Sequence, residues 1–192
     1  DISLTNINRQ IHALETTIGQ KKTLMMKERI LAINPQAKVT TIEKLYTPES
    51  NFFNWDDDYT YIVDAVDDVK AKINLIVNAN KHNLPIMSSM GTANKLDPQK
   101  FVITDIYKTH TCPLARIMRK TLKQQGIKKL KVLYSTEEPF TNYTVNFKEN
   151  TSKDNSPAST RKQPLGSISF VPPIAGLMIA GEIVKDICQI NR

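Results

Sequence analysis

Tyr61-Ile62-Val63-Asp64-Ala65-Val66-Asp67-Asp68-Val69-Lys70 is the stretch whose reading decides the fold of this chain. Val63 and Val66 bracket the first acid. From Val69 onward, Val69, Ile73, Ile76 and Val77 recur at helical spacing, so the apolar period changes at the carboxylates. A strand therefore runs into a helix there. In an open α/β sheet, ligands bind outside the carboxyl ends of the strands, which is where Asp64, Asp67 and Asp68 would sit. A carboxylate in that place can hold Mg²⁺ beside nucleotide phosphates. Capping of the helix N-terminus by Asp67 and Asp68 explains the same acids, and on spacing alone it is the commoner arrangement.

Working outward, Leu84 to Gly91 reads as a second short strand ending in a small-residue loop, Phe101 to Ile106 as a third, and Lys131 to Ser135 as a last one. Upstream, Val39 to Leu45 is strand-like and Pro48 to Asn54 suggests a short helix. Strand and helix in alternation predict an α/β fold with a doubly wound, mostly parallel sheet. Before this lies Thr5-Asn6-Ile7-Asn8-Arg9-Gln10, a polar loop leading to weak helical spacing at Ile11, Leu14 and Ile18. Its Arg9 can contact phosphate through two parallel donors, and Asn8 can bond a ribose or phosphate oxygen; an exposed surface loop is the plainer alternative. Gly19 precedes a helix over 21–33, with Met26, Ile30 and Ile33 on one face. Lys22 in its first turn opposes the helix dipole unless an anion is near.

From Pro113 a helix carries Leu114, Ile117, Met118 and Leu122 on one side, with Arg116, Arg119, Lys120 and Lys123 largely on the other. That basic face suits RNA and equally suits plain solvation. Residues 146–164 are poor in apolar side chains and read as a mobile loop. A final helix over 174–190 is expected to be largely buried through Leu177, Ile183, Val184 and Ile187, with small residues Ala175, Gly176, Ala180 and Gly181 permitting close packing.

The 26 Lys and Arg against 19 Asp and Glu give a formal charge of +7, which favours an anionic partner. Cys112 and Cys188 are too few for a disulfide framework, so a reducing cytoplasm is the expected compartment. Ile174 to Val184, interrupted by Glu182, falls short of the roughly 20 residues that cross a bilayer, so no membrane association is expected. The first residue is Asp and the chain opens in a polar, loop-like stretch, so a segment upstream is expected.

Taken together, Asn6-x-Asn8-Arg9-Gln10, Gly19-x-x-Lys22, Ile33-Asn34-Pro35, Asp64-x-x-Asp67 and Gly166 to Pro172 resemble the ubiquitin-activating-enzyme-like (ThiF/MoeB-type) superfamily of adenylating enzymes. Ser89 to Pro98 and Val132 to Glu137 resemble its branch that acts on threonylcarbamoyladenosine in tRNA. The relatives that activate ubiquitin-like sulfur carriers usually hold a structural zinc on two CxxC pairs, which Cys112 and Cys188 cannot build, so no structural zinc is expected.

The resemblance implies a Rossmann-like fold and an ATP-dependent enzyme that adenylates and cyclises its tRNA substrate with net loss of water. It makes residues 1–192 part of an ATP-binding adenylation domain lacking the superfamily's upstream glycine-rich βαβ portion and ribose-binding acid, and the chain by itself is expected to be inactive. By resemblance, Asn6, Asn8, Arg9, Gln10, Lys22 and Asp64 bind the nucleotide, Arg9, Lys22 and Asp67 are catalytic, and Asp67 holds Mg²⁺. Asp64 more directly orients the loop. Arg116, Arg119, Lys120 and Lys123 are the expected tRNA contacts. A homodimer and a sulfur-transfer protein are the implied protein partners. Activation of a sulfur carrier, or a non-catalytic nucleotide- or RNA-binding role, are the alternative functions.

Overall fold

A computed structural model describes residues 1–140 and 165–190; the expected mobile loop over 146–164 lies outside the described residues. Its sheet holds β1 (Ile62–Asp64), β2 (Ile86–Ser89), β3 (Phe101–Asp105) and β4 (Lys131–Ser135) in the order β1-β2-β4-β3. β1 pairs in parallel with β2, and β2 with β4, while β3 runs antiparallel along β4. The mostly parallel, Rossmann-like sheet expected from the alternating pattern is therefore present, with one reversed edge strand.

Helices α2 (Val69–Lys81) and α3 (Pro113–Gln124) cover one face and α4 (Val171–Ile187) the other. The division follows from the two-residue period of a strand. Along β4, Val132 and Tyr134 point into the layer with Ile76, Met118 and Leu122, whereas Leu133 points the other way onto Val171, Ala175 and Ile179 of α4. Each such fully buried aliphatic side chain contributes about 1.5–3 kcal/mol. At the far end of the sheet, Lys131 of β4 binds Glu182 at 3.1 Å and Asp186 at 2.6 Å, and the Tyr61 hydroxyl donates to Asp186 at 2.8 Å, pinning α4 across the strands.

The pattern on α3 is the clearest in the chain. Of the expected apolar side, Met118 and Leu122 are buried together with Ala115, but Leu114 is only half-buried and Ile117 is exposed, as are Arg116, Lys120 and Lys123. The helix stops at Gly126, whose φ of +75° is the left-handed conformation glycine adopts freely. There the Ile127 amide returns to the Leu122 carbonyl at 3.0 Å and the Gly126 amide to that of Lys123 at 3.2 Å, satisfying carbonyls left free at the helix end.

Four expectations are corrected. Val39–Leu45 and Pro48–Asn54 form neither strand nor helix. Ile42 and Leu45 are exposed, whereas the aromatic residues that follow pack near α2: the Tyr46 hydroxyl donates to Asn74 at 2.7 Å, Phe53 packs on Trp55 with ring centroids 4.3 Å apart, and Trp55 stacks on His82 just past the helix end. The weak spacing at Ile11, Leu14 and Ile18 makes no α-helix, only short 3₁₀ turns at Leu4–Asn6 and Glu15–Thr17, and all three apolar side chains are exposed. On α1 (Lys22–Ile33), the face with Met26, Ile30 and Ile33 buries no residue. Finally, α4 begins three residues earlier than expected, because Pro172 and Pro173 fit the first turn, where no intrahelical N–H is needed. It is also not largely buried. Val171, Ala175 and Ile179 face the sheet, but Leu177, Val184 and Ile187 are exposed, Leu177 by 73%, and so is Cys188.

Candidate functional site

Beyond the carboxyl ends of β1 and β2 opens a cleft of about 1210 Å³, the place where open α/β sheets receive ligands. Arg9 and Gln10 enter from the N-terminal segment, Val63 and Ala65 to Asp67 from β1 and its following loop, and Ser89 to Lys95 from β2 and its loop. Cys112 to Leu114 at the start of α3 and one side of α4 complete it.

The floor beneath the β1 loop is ionic. The Lys72 ammonium donates to Asp64 at 2.7 Å, to Ser88 at 3.2 Å and to the Ser89 carbonyl at 3.0 Å, while the Ser88 hydroxyl donates to the same Asp64 oxygen at 2.5 Å. The other Asp64 oxygen accepts from the Val66 amide at 3.1 Å. Asp64 is thus an internal brace that bends the loop. With both oxygens engaged inside the protein, it is not placed to meet a ligand directly. Asp67, two residues beyond the bend, is exposed and lines the cleft. Capping of α2 falls to Asp68 alone, which accepts from the Ala71 amide at 2.8 Å. The two readings of the acid cluster therefore apply to different residues.

Arg9 is held by its own segment. Its guanidinium donates to the Thr5 carbonyl and to the Asn8 side-chain oxygen, each at 2.8 Å. The Asn8 amide nitrogen donates in turn to the Ser167 carbonyl at 2.9 Å, so both ends of that side chain are engaged. Asn6 is buried and accepts from the Ser3 amide at 3.1 Å, which tightens the turn. Gln10 Oε1 is buried without a partner among the described residues. Gln10 lines the cleft beside Arg9. Lys22 stands at the first residue of α1, half-buried, outside the cleft lining. Of the expected site, Arg9, Gln10 and Asp67 come together in the cleft; Asn6, Asn8 and Asp64 stand behind them.

The same wall is laced from β2 to the segment before α4. Asn94, at φ +55°, donates its amide to the Gly166 carbonyl and accepts from the Gly166 amide through its side chain, both at 2.8 Å. Lys95, at 4% exposure, and Cys112, at 5%, also line the cleft. Burial holds the Lys95 amine below its usual pKa. The sequence reading missed Lys72 and Lys95 as site residues. Lys72 was legible, since it falls three after Val69 and four before Ile76, inside the apolar stripe where an unpaired lysine is out of place.

The basic face of α3 is only partly as expected. Arg116, Lys120 and Lys123 point to solvent with Lys128 and Lys129 nearby in sequence, but the Arg119 guanidinium turns back to Thr109, donating to its carbonyl at 2.9 Å and to its hydroxyl.

Known proteins share this architecture. The chain is 41% identical over 192 residues to the tRNA threonylcarbamoyladenosine dehydratase of Bacillus subtilis, covering 98% of this chain and 74% of that protein. It is 37% identical over 123 residues to the enzyme of the same name from Escherichia coli, covering 64% of this chain and 46% of that protein. The crystal structure of E. coli tRNA N6-threonylcarbamoyladenosine dehydratase in complex with AMP superposes with a TM-score of 0.80 at 27% identity, covering 98% of this chain and 73% of that one. The corresponding ATP complex gives 0.79. Residues 1–192 match the profile of the ThiF family, and the chain belongs to that family.

Proposed function

We propose that this chain is the adenylating part of a tRNA threonylcarbamoyladenosine dehydratase, an ATP-dependent enzyme that activates a carboxylate on a modified tRNA adenosine and closes it into a ring. One observation carries the reading: Arg9, Gln10 and Asp67 converge on a large cleft at the ends of β1 and β2, in a fold shared with structures solved with ATP and AMP.

In the first step, a carboxylate oxygen of the threonylcarbamoyl group attacks the α-phosphorus and the bond to pyrophosphate breaks. In the second, an internal nucleophile attacks the acyl carbon and AMP departs with that carboxylate oxygen, so the net change is loss of water. Arg9 binds phosphate, its fork preset by Thr5 and Asn8 before any ligand arrives. Gln10 lines the cleft beside Arg9 and would contact the nucleotide as the resemblance implies. Lys22 reaches the phosphates only if its flexible stem swings from the start of α1 towards the cleft.

Asp67 would suit Mg²⁺ through its exposed, hard carboxylate within the cleft. Magnesium there would be shared with phosphate oxygens and would neutralise their charge. Asp64 would contribute by aiming the loop.

Further parts of the reading concern partners. The exposed Arg116, Lys120 and Lys123 would track tRNA phosphates. The exposed apolar stripe of α4, Leu177, Gly181 and Val184, would pair with a second copy. The resemblance also implies a sulfur-transfer protein as partner. Among the described residues no helix is long and apolar enough to cross a membrane, and the cytoplasm is the compartment where tRNA and ATP meet.

Pyrophosphate exchange into ATP tests the reading. Exchange that requires tRNA carrying threonylcarbamoyladenosine is expected; exchange driven by a ubiquitin-like carrier instead would overturn it.

A further inference from the structure

Two stretches quoted above for their resemblance, Ser89 to Pro98 and Val132 to Glu137, have so far no role in the chemistry, yet they close on one another at the cleft. The Glu137 carboxylate accepts from the Leu96 amide at 3.0 and 3.2 Å and from the Asp97 amide at 3.1 Å, so it serves as an anchor for backbone. The Lys95 side chain enters the space between, and its ammonium donates to the Glu137 carbonyl.

Two buried lysines of one cleft make an informative pair. Lys72 has its ammonium answered three times, once by the Asp64 carboxylate. Lys95 is buried nearly as deeply and, among the described residues, has a single neutral acceptor and no ion pair. An ammonium withdrawn from water without a counter-ion is costly, and it keeps donors to spare. Such a group suits an anion that arrives from outside.

The adenylation step supplies that anion. A carboxylate must be brought against the α-phosphate, and two negative groups repel strongly in a site that excludes water. Arg9 and Asp67 would serve the nucleotide side; the substrate side needs its own cation. We propose that Lys95 is that cation: it receives the carboxylate of the acyl substrate and sets which acids are adenylated. This role rests on the adenylation reading given above.

Lys95→Met tests it in the protein that carries this chain. Loss of one charge-assisted contact should raise the KM for the modified tRNA in pyrophosphate exchange about 10- to 100-fold, with ATP affinity unchanged within about twofold. Since a buried ammonium lacking an ion pair is exchanged for a near-isosteric apolar chain, Tm should hold or rise. Lys95→Arg, which keeps the charge, should recover part of the KM. An unchanged KM in Lys95→Met, or a fall in Tm together with ATP affinity, would make Lys95 part of the clasp with Glu137 and overturn the proposal. Absence of substrate-dependent exchange in the wild-type protein would instead remove the adenylation reading, and this role with it.

Discussion

Lys72 Nζ lies 2.7 Å from Asp64 Oδ2, and neither side chain reaches solvent. This contact joins α2 to β1 under the floor of the cleft, and the second Asp64 oxygen, 3.1 Å from the Val66 amide, passes the constraint to the loop that carries Asp67. Removing one partner leaves the other as a buried, uncompensated charge. Lys72→Met should therefore cost about 3–5 kcal/mol of stability in urea unfolding, and adding Asp64→Asn should restore much of it. A loss below about 1 kcal/mol, the range of an exposed pair, would contradict the internal brace.

Asp67 and Asp68 are neighbours with separate tasks, and two substitutions separate them. Asp68→Ala removes the cap on the Ala71 amide and should lower stability by about 0.5–2 kcal/mol. Asp67→Ala touches an exposed side chain with no partner among the described residues and should change stability by no more than about 0.5 kcal/mol. Only Asp67→Ala should abolish Mg·ATP-dependent turnover. Full activity in that variant would leave Asp67 without a role in metal binding.

The pH dependence of substrate binding follows from Lys95. Burial lowers its pKa from the usual value, against the opposing influence of Glu137, Cys112 and Glu138 around it. The group is charged at low pH and neutral at high pH, so the KM for modified tRNA should be flat below its pKa and climb as pH rises through it. The climb should begin at lower pH than for an ordinary exposed lysine. In Lys95→Arg the guanidinium stays charged and the climb should vanish; a climb that persists would assign the titration to another group.

α4 offers the test of assembly. A Cβ at Gly181 would meet nothing within 4 Å among the described residues, so Gly181→Leu should leave the subunit folded. If the stripe of Leu177, Gly181 and Val184 packs on a second copy, that bulk should convert a sedimenting dimer to a folded monomer. A wild-type monomer, or a variant that remains dimeric, would place the interface elsewhere or remove it.

Where the sequence could be read, local physics decided the outcome. The change of period at Asp64 located β1 and α2, and the apolar spacing of Leu114, Ile117, Met118 and Leu122 located α3, though Ile117 faces outward and Ala115 is buried in its place. The segment 39–54 misled because its apolar residues look strand-like, whereas Ile42 and Leu45 are exposed and only the aromatic Tyr46 and Phe53 find partners on α2, set by tertiary contact. Apolarity of α4 was legible, but apolar side chains are not thereby buried, and Leu177 faces outward. Of the residues to which the resemblance pointed, Arg9, Gln10 and Asp67 lie in the cleft lining. Residue type could not distinguish Asp64 as a brace or Arg119 as a ligand of Thr109, since both depend on neighbours far away in the chain. Lys95 had no signal of its own until Glu137 was seen folded against it.

The most direct test is mass spectrometry of tRNA nucleosides after incubation of the protein with ATP, Mg²⁺ and tRNA bearing threonylcarbamoyladenosine. Loss of one water from that nucleoside, with one AMP formed per nucleoside changed, is the predicted result. AMP formation with no change in the nucleoside, or no AMP at all under conditions where ATP binds, would contradict the assignment.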